Sequence, residues 1–408
     1  MDGSLLERIQ PLMPRLIEIR KTIHRNPELG FEEYQTAALV AGTLEDLGIE
    51  VRTGVANTGV VGVLRGSSVH RVAGGGTRTI ALRADMDALP VTELNDVDYA
   101  SRVPGKMHAC GHDVHTTILL GAAMVLAGMR DQLNGNVKFI FQPAEESAGG
   151  ALPMIEQGVL KDPDVDAIVG GHCWPGMPAG QIGIGEGPVM AAADFVTIRI
   201  IGKGGHGALP HLAVDPIAIS FQVGTALQQI VSRLRDPLDP VVLSICSIHG
   251  GTKSNVIAEE VVMEGTVRSF NPETRERLPG LIEQVLRGVT SAYGGDYALQ
   301  FNKLYPPTVN DAGIARLVEK AARKALGNEA VTWGIDPTMG AEDFSFFAER
   351  VPAASFRIGV ADPTGERPAY PLHNPRFDIH ESAIPAAVAV FVQTVLDFLG
   401  GDRQDGLS

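Results

Sequence analysis

Three histidines, one cysteine and one aspartate fall within the nine residues 107–115, Met-His-Ala-Cys-Gly-His-Asp-Val-His. A lone histidine in a polar loop is most often a satisfied core group, but imidazole and thiol at this density point to a transition-metal ligand set. Cys110 and His112 stand two apart, so in an extended segment they project to the same side, where a thiolate and an imidazole can grip one cation. Gly111 between them lets the backbone bend. The apolar run 116–129 follows directly, so the cluster sits where a loop enters a buried helix.

Further acids and a histidine follow three strand-like runs. Asp85-Met86-Asp87 comes after 79–82, Gln142-Pro143-Ala144-Glu145-Glu146 after 137–141, and Gly170-Gly171-His172-Cys173 after 165–169. With His373 in the polar loop 372–375, the candidate ligands are Cys110, His112, Glu146, His172 and His373, with Asp85 and Asp87 nearby. A zinc-like ion takes three or four protein ligands, so this surplus implies two divalent ions sharing one site. Mixed N, O and S donors suit Zn, Mn, Co or Ni without choosing among them. Such a pair polarises a carbonyl with one ion and generates a bound hydroxide with help from the other. Hydrolysis also needs a group that takes a proton from water and hands it to the leaving amine. Glu145 and Glu146 divide those labours, because neighbours in an extended chain point opposite ways and only one can face the metals.

These groups need elements to bring them together. Apolar residues at helical spacing over 16–25 and 32–47 predict two opening helices, separated by the loop 26–30. The three strand runs then alternate with helical stretches at 116–130 and 150–158, which predicts an α/β domain with a largely parallel sheet flanked by helices. In such sheets ligands bind at the carboxyl ends of the strands, the edge to which all these polar groups are assigned. From residue 191 the texture changes to strand 194–201, helix 214–234, strands 241–249 and 260–269, helix 273–293 and strand 297–304. That is the ferredoxin-like order β-α-β-β-α-β. The expected organisation is a discontinuous metal-binding domain, 1–190 and 306–408, interrupted by an inserted domain at 191–305. A helix at 312–326, a strand at 355–359 and an apolar helix at 383–399 complete the first. Residues 400–408 read as a frayed tail, and the only low-complexity tract is the Gly74-Gly75-Gly76 turn.

The bulk properties agree with an enzyme and argue against other classes. At 408 residues the chain exceeds what one hydrophobic core supports, which favours two domains. A net charge of -14 repels phosphate backbones and anionic headgroups, so neither nucleic acid nor membrane is expected as a partner. Residues 1–20 hold no uninterrupted apolar segment of the secretory kind, and the apolar stretch 118–129 is too short to span a bilayer. Three scattered cysteines, Cys110, Cys173 and Cys246, make no disulfide framework and fit a reducing, cytoplasmic compartment. Cys246 reads as core, and no Cys-x-x-Cys motif supports thiol redox chemistry. The loop 202–207 lacks P-loop spacing. His24, His70 and His249 carry no assigned chemistry.

Asp85-Met86-Asp87, His108-Ala109-Cys110-Gly111-His112-Asp113, Gln142-Pro143-Ala144-Glu145-Glu146, the segment 205–211, Met339-Gly340-Ala341-Glu342-Asp343-Phe344 and Leu372-His373-Asn374 resemble the amidohydrolase branch of the dinuclear carboxypeptidase/aminoacylase family. Hippurate hydrolases and indole-acetyl-amino-acid hydrolases belong to that branch. The resemblance runs in order from about 24 to 381. It implies that Cys110, His112, Glu146, His172 and His373 are metal ligands and that Glu145 is the general acid/base. Related peptidases carry a His-x-Asp ligand arm where this chain has Asp85-Met86-Asp87, so Asp87 is assigned to orienting a ligand and Asp85 has no assigned role. The resemblance further implies that His206 helps hold the developing oxyanion, that Asn255 and Arg268 contact the substrate, and that the inserted domain carries a homodimer interface. An Arg fork suits a carboxylate. The expected activity is hydrolysis of the amide bond of small N-acyl amino acids to a carboxylic acid and a free amino acid. A dipeptidase or carboxypeptidase on the same scaffold is the alternative, and a metal-binding protein without catalysis is the reading from another class.

Overall fold

The computed structural model describes residues 5–67, 77–147 and 149–400. His70, the Gly74–Gly76 turn and residues 401–408 lie outside the described residues. The chain forms two compact units, one of Met1–Val189, Val309–Asp336 and Phe346–Ser408, the other of Met190–Thr308 with Pro337–Ser345. Segment 337–345, which the sequence reading left in the first domain, goes with the second unit.

In the first unit an eight-stranded mixed sheet runs in the order Glu50–Val55, Gly59–Arg65, Asn136–Gln142, Thr79–Asp85, Ala167–Pro178, Ala353–Ala361, Ile182–Ile184, Val331–Trp333. Its centre is parallel: Thr79–Asp85 pairs in parallel with both neighbours, and Ala353–Ala361 with Ala167–Pro178. Thr79–Asp85 and Asn136–Gln142 are buried at every residue, as strands covered on both faces must be. Sequence reading missed the antiparallel hairpin Glu50–Val55/Gly59–Arg65, because exposed Glu50, Arg52 and Thr53 and three glycines break the apolar pattern. Its turn is made by Ala56 and Asn57, both in the left-handed region at φ 52° and 75°.

The helix His112–Ala127 is buried at 15 of its 16 residues, against helix Met13–Arg25 on one side and Ala383–Gly400 on another. Ala383–Gly400, not 118–129, is the longest apolar helix among the described residues, and most of it lies inside the core.

The second unit has the expected β-α-β-β-α-β order. Its antiparallel sheet runs Val241–Gly250, Glu260–Ser269, Ala192–Ile201, Asp296–Tyr305. Helices Pro216–Arg233 and Pro272–Ala292 cover one face, packing Ile219, Val223, Leu227, Leu278, Ile282 and Leu286 on Val196, Ile198, Val261 and Met263. Each helix opens with proline after a capping residue, Asp215 or Asn271, whose side chain accepts the second backbone N–H of its helix. Cys246 is exposed rather than core: Val241–Gly250 is an edge strand, and a bulge between Ile245 and Ser247 turns the thiol outward.

Candidate metal centre

The polar groups gather where the parallel strands of the first unit end. Gly111, at φ 90°, turns the chain into the helix that His112 begins. A Cβ on Gly111 would lie 2.9 Å from Cys173 Sγ, so both the conformation and the space require glycine. His112 therefore sits on the first helical turn, not in an extended segment. His172 lies within the strand Ala167–Pro178, which outruns the expected strand end. His373 is itself left-handed at φ 65° and is held by its backbone N–H, which donates to the Ala109 carbonyl at 2.8 Å.

Among the described residues of the first unit, four groups of ligand atoms each lie within 4.8 Å of one another: Cys110, His112 and His172; Cys110, Glu146 and His373; His112, Glu145 and Glu146; and Asp85, His112 and His115. All five expected ligands are thus brought together, with Glu145 beside them. Cys110 Sγ is 3.5 Å from His172 Nε2, and His172 Nδ1 donates to the Cys173 carbonyl at 2.9 Å, which leaves its lone pair on Nε2, toward Cys110. Glu146 Oε1 is 3.1 Å from His373 Nε2 and 3.9 Å from His112 Nε2.

Asp87 makes three contacts. One of its oxygens is 3.2 Å from His112 Nδ1, and its carboxylate accepts the backbone N–H of Glu145 at 3.0 Å and of Glu146 at 2.9 Å. It orients the imidazole and fixes the Glu-Glu turn together. Both ring nitrogens of His115 are already engaged: its Nδ1 meets Asp85 at 2.6 Å and its Nε2 accepts from the Cys173 N–H at 2.8 Å. Asp85 accepts from Arg83 as well, at 2.7 Å, so it anchors neighbours.

These residues fit a cation. His112 Nε2 is buried with no hydrogen-bond partner, an arrangement that costs stability unless something fills it. Burial would lower the pKa of His112, yet Asp85 and Asp87 raise it to about 10. Burial would raise that of Glu146, yet His373 and His112 hold it at about 2. Burial, then the Glu146 and Glu145 charges, pushes the Cys110 thiol well up. The acids around Cys110 and His112 favour positive charge at this point, which a divalent ion would supply.

In the second unit His206 and Asn255 also come together. Strand Gly205–His206 pairs with Val256–Ile257, and the Gly207 N–H donates to the Asn255 carbonyl at 2.9 Å. His206 Nδ1 accepts from the Ala208 N–H at 3.1 Å, so the neutral ring carries its hydrogen on Nε2 as an exposed donor. Arg268, half-buried, donates to Thr266 Oγ1 and the Val267 carbonyl of its own strand.

Sequence reasoning missed two supporting groups. His24, given no role, is 2.8 Å from Asp113 and 3.2 Å from Glu93, and Arg20 Nε donates to the same Asp113 oxygen at 2.9 Å. Glu33, at the N-cap position of helix Tyr34–Asp46, accepts the Ala144 N–H at 2.8 Å. The helical spacing of 16–25 and 32–47 carried no sign of either, since both contacts span distant segments.

Residues 81–397 match peptidase family M20/M25/M40. The chain is 45% identical over 303 residues to an N-acyl-L-amino acid amidohydrolase of Geobacillus stearothermophilus, covering 74% of this chain and 80% of that one. It is 41% identical over 373 residues to thermostable carboxypeptidase 2 of Saccharolobus solfataricus, covering 90% and 91%. The crystal structure of the Bacillus subtilis YXEP protein, named a dinuclear metal-binding peptidase from the M20 family, superposes with a TM-score of 0.83 at 34% identity, covering 96% of this chain and 99% of that one.

Proposed function

Because the chain belongs to peptidase family M20/M25/M40, a family of hydrolases, we propose that it hydrolyses the amide bond of small N-acyl amino acids, releasing a carboxylic acid and a free amino acid. The observation that carries this reading is the gathering of Cys110, His112, Glu146, His172 and His373 beside Glu145 in one cluster. Those five residues would hold two divalent ions, Zn, Mn, Co or Ni. When bound, the ions supply Lewis acidity that polarises a carbonyl and makes water easier to deprotonate. Asp87 keeps His112 in the tautomer that presents Nε2. Glu145 takes the proton of the attacking water and delivers it to the leaving amine nitrogen, which must be protonated before the C–N bond breaks. His206, with its donor on Nε2, steadies the oxyanion, while Asn255 and Arg268 bind the substrate's carboxylate end.

The working unit is proposed to be a homodimer formed through the inserted domain, with His206 of one chain serving the other chain's site, in the cytoplasm. Free Cys110, Cys173 and Cys246 support a reducing compartment.

The test is to offer N-acetyl, N-benzoyl and indole-acetyl amino acids to protein reconstituted with Zn or Mn. Release of free amino acid, its abolition by a chelator and about two ions per chain are the expected results. Full activity in protein stripped of metal overturns the scheme. The Saccharolobus relative favours one second reading, a carboxypeptidase. Turnover of unblocked dipeptides well above that of N-acyl amino acids would establish it.

A further inference from the structure

The turn bearing Glu145 and Glu146 is strained, and the groups that hold it come from distant parts of the chain. Ala144 lies in the left-handed region at φ 56°, which L-residues adopt only where their surroundings enforce it. Three successive amides of this turn are taken by two buried carboxylates. The N–H groups of Glu145 and Glu146 go to Asp87, and the N–H of Ala144 goes to Glu33 Oε1 at 2.8 Å. The Ala144 carbonyl accepts from Gly149 at 3.0 Å, so both polar groups of the strained residue are occupied.

Glu33 is an unusual donor of support. It stands at the N-cap position of helix Tyr34–Asp46, where a side-chain oxygen ordinarily caps its own helix, and it makes no such bond. Glu28 does that instead, accepting the N–H groups of Gln35 and Thr36 at 3.0 and 2.9 Å. Glu33 is fully buried, and its second oxygen is occupied by the Thr58 hydroxyl. Burying a carboxylate is costly unless its bonds return the energy, and here the bonds lead away from the helix to the Ala144 turn. The loop before Glu33 is pressed on the same turn: a Cβ on Gly30 would come within 2.9 Å of Ala144 Cα.

We infer that Glu33 is a positioning residue for Glu145: by holding the Ala144 amide it locks the strained turn that presents the proton carrier. The inference rests on the role proposed for Glu145, and its consequences at the turn are measurable without that role. Glu33→Asp keeps the charge and shortens the arm that reaches Ala144. Glu33→Gln keeps the arm, since its amide oxygen can accept from Ala144 while its NH2 donates to the Thr58 oxygen. Hydrogen exchange across residues 142–147 in chelator-treated protein, and kcat and KM in the metal-loaded protein, separate the two. In Glu33→Asp, exchange at 142–147 should rise while other segments stay protected. Its kcat should fall about tenfold or more with KM little changed, because small misplacements of a catalytic group are costly. Glu33→Gln should restore both. Wild-type exchange and kcat in Glu33→Asp overturn the inference, as does a loss in Glu33→Gln as large as in Glu33→Asp. A uniform rise in exchange along the chain likewise reduces Glu33 to a stability role. Failure of the wild type to cleave any N-acyl amino acid would sink the proposed activity instead, and the exchange comparison would still decide whether Glu33 locks the turn.

Discussion

Glu145 and Glu146 are adjacent, carry the same functional group and sit in environments that separate them. Glu146 is held well below the carboxylate range by His373 and His112 against the opposing effect of burial, as a metal-facing acid should be. Glu145 is buried beside it with its N–H fixed by Asp87. Glu145→Gln should therefore retain both metals and lose about 10²-fold or more in kcat, the usual cost of a missing proton carrier. Glu146→Gln should lose metal first, read by elemental analysis after dialysis. Equal metal content and equal rates in the two variants would refute the division. Gly111 is the other position where one atom decides. Gly111→Ala combines a left-handed residue with a clash on Cys173, and should lower the unfolding free energy by about 1–3 kcal/mol in urea titrations while weakening metal retention.

Helix Met13–Arg25 supplies none of the expected ligands, yet it packs on the helix that begins with His112. Arg20 and His24 converge on the buried Asp113 carboxylate, and Arg20 Nη2 also donates to Asp378, which accepts from Tyr99. Around His24 stand Asp113, Glu93, Arg20, Tyr99 and His108. Burial lowers its pKa, but Asp113 and then Glu93 outweigh this, and the net shift is upward. A histidine whose folded pKa is raised adds stability that is fully present below its unfolded value near 6.5 and is lost as pH rises through the folded value. His24→Ala should then cost more unfolding free energy at pH 6 than at pH 9, measured by urea denaturation. An equal cost at both would mean that His24 acts only by filling space. Strand Asn136–Gln142 has a comparable anchor: Lys138 Nζ donates to the carbonyls of Val159, Lys161 and Pro163. Lys138→Met leaves three acceptors without that donor and should cost about 2–4 kcal/mol in the same assay.

At the scale of the whole molecule, each unit keeps its own hydrophobic core. The five expected metal ligands all belong to the first unit and the His206–Asn255 ribbon to the second. If the active form is a dimer in which His206 serves the other chain, Glu145→Ala and His206→Ala proteins, each inactive alone, should complement one another. A mixed dimer holds one doubly defective site and one intact site. After subunit exchange, activity should return to about a quarter of wild type, since half the dimers are mixed and half their sites are whole. No recovery despite demonstrated exchange would put His206 in its own chain's site or outside the chemistry.

Local pattern was enough for much of this. Cys110 and His112, Glu145 and Glu146, His172 and His373 stood out because metal and acid–base chemistry demands particular residue types, and such types are conspicuous beside apolar strands and glycine turns. The parallel strands were legible because burial on both faces leaves a nearly continuous apolar run, and the ferredoxin-like insert because its strands and helices keep clean periods. The hairpin Glu50–Val55/Gly59–Arg65 was not, because an edge strand with a wet face carries no such run. Cys246 was misjudged because an apolar neighbourhood in sequence does not reveal a bulge on an edge strand. Only the tertiary structure decided that Asp87 serves both His112 and the Glu145–Glu146 turn, that His115 is spent on Asp85 and Cys173, and that Glu33 leaves its own helix to hold Ala144. Each of those choices is a hydrogen bond between segments 25 to 111 residues apart. No periodicity encodes them, because their partners are fixed by how the elements pack and not by spacing along the chain.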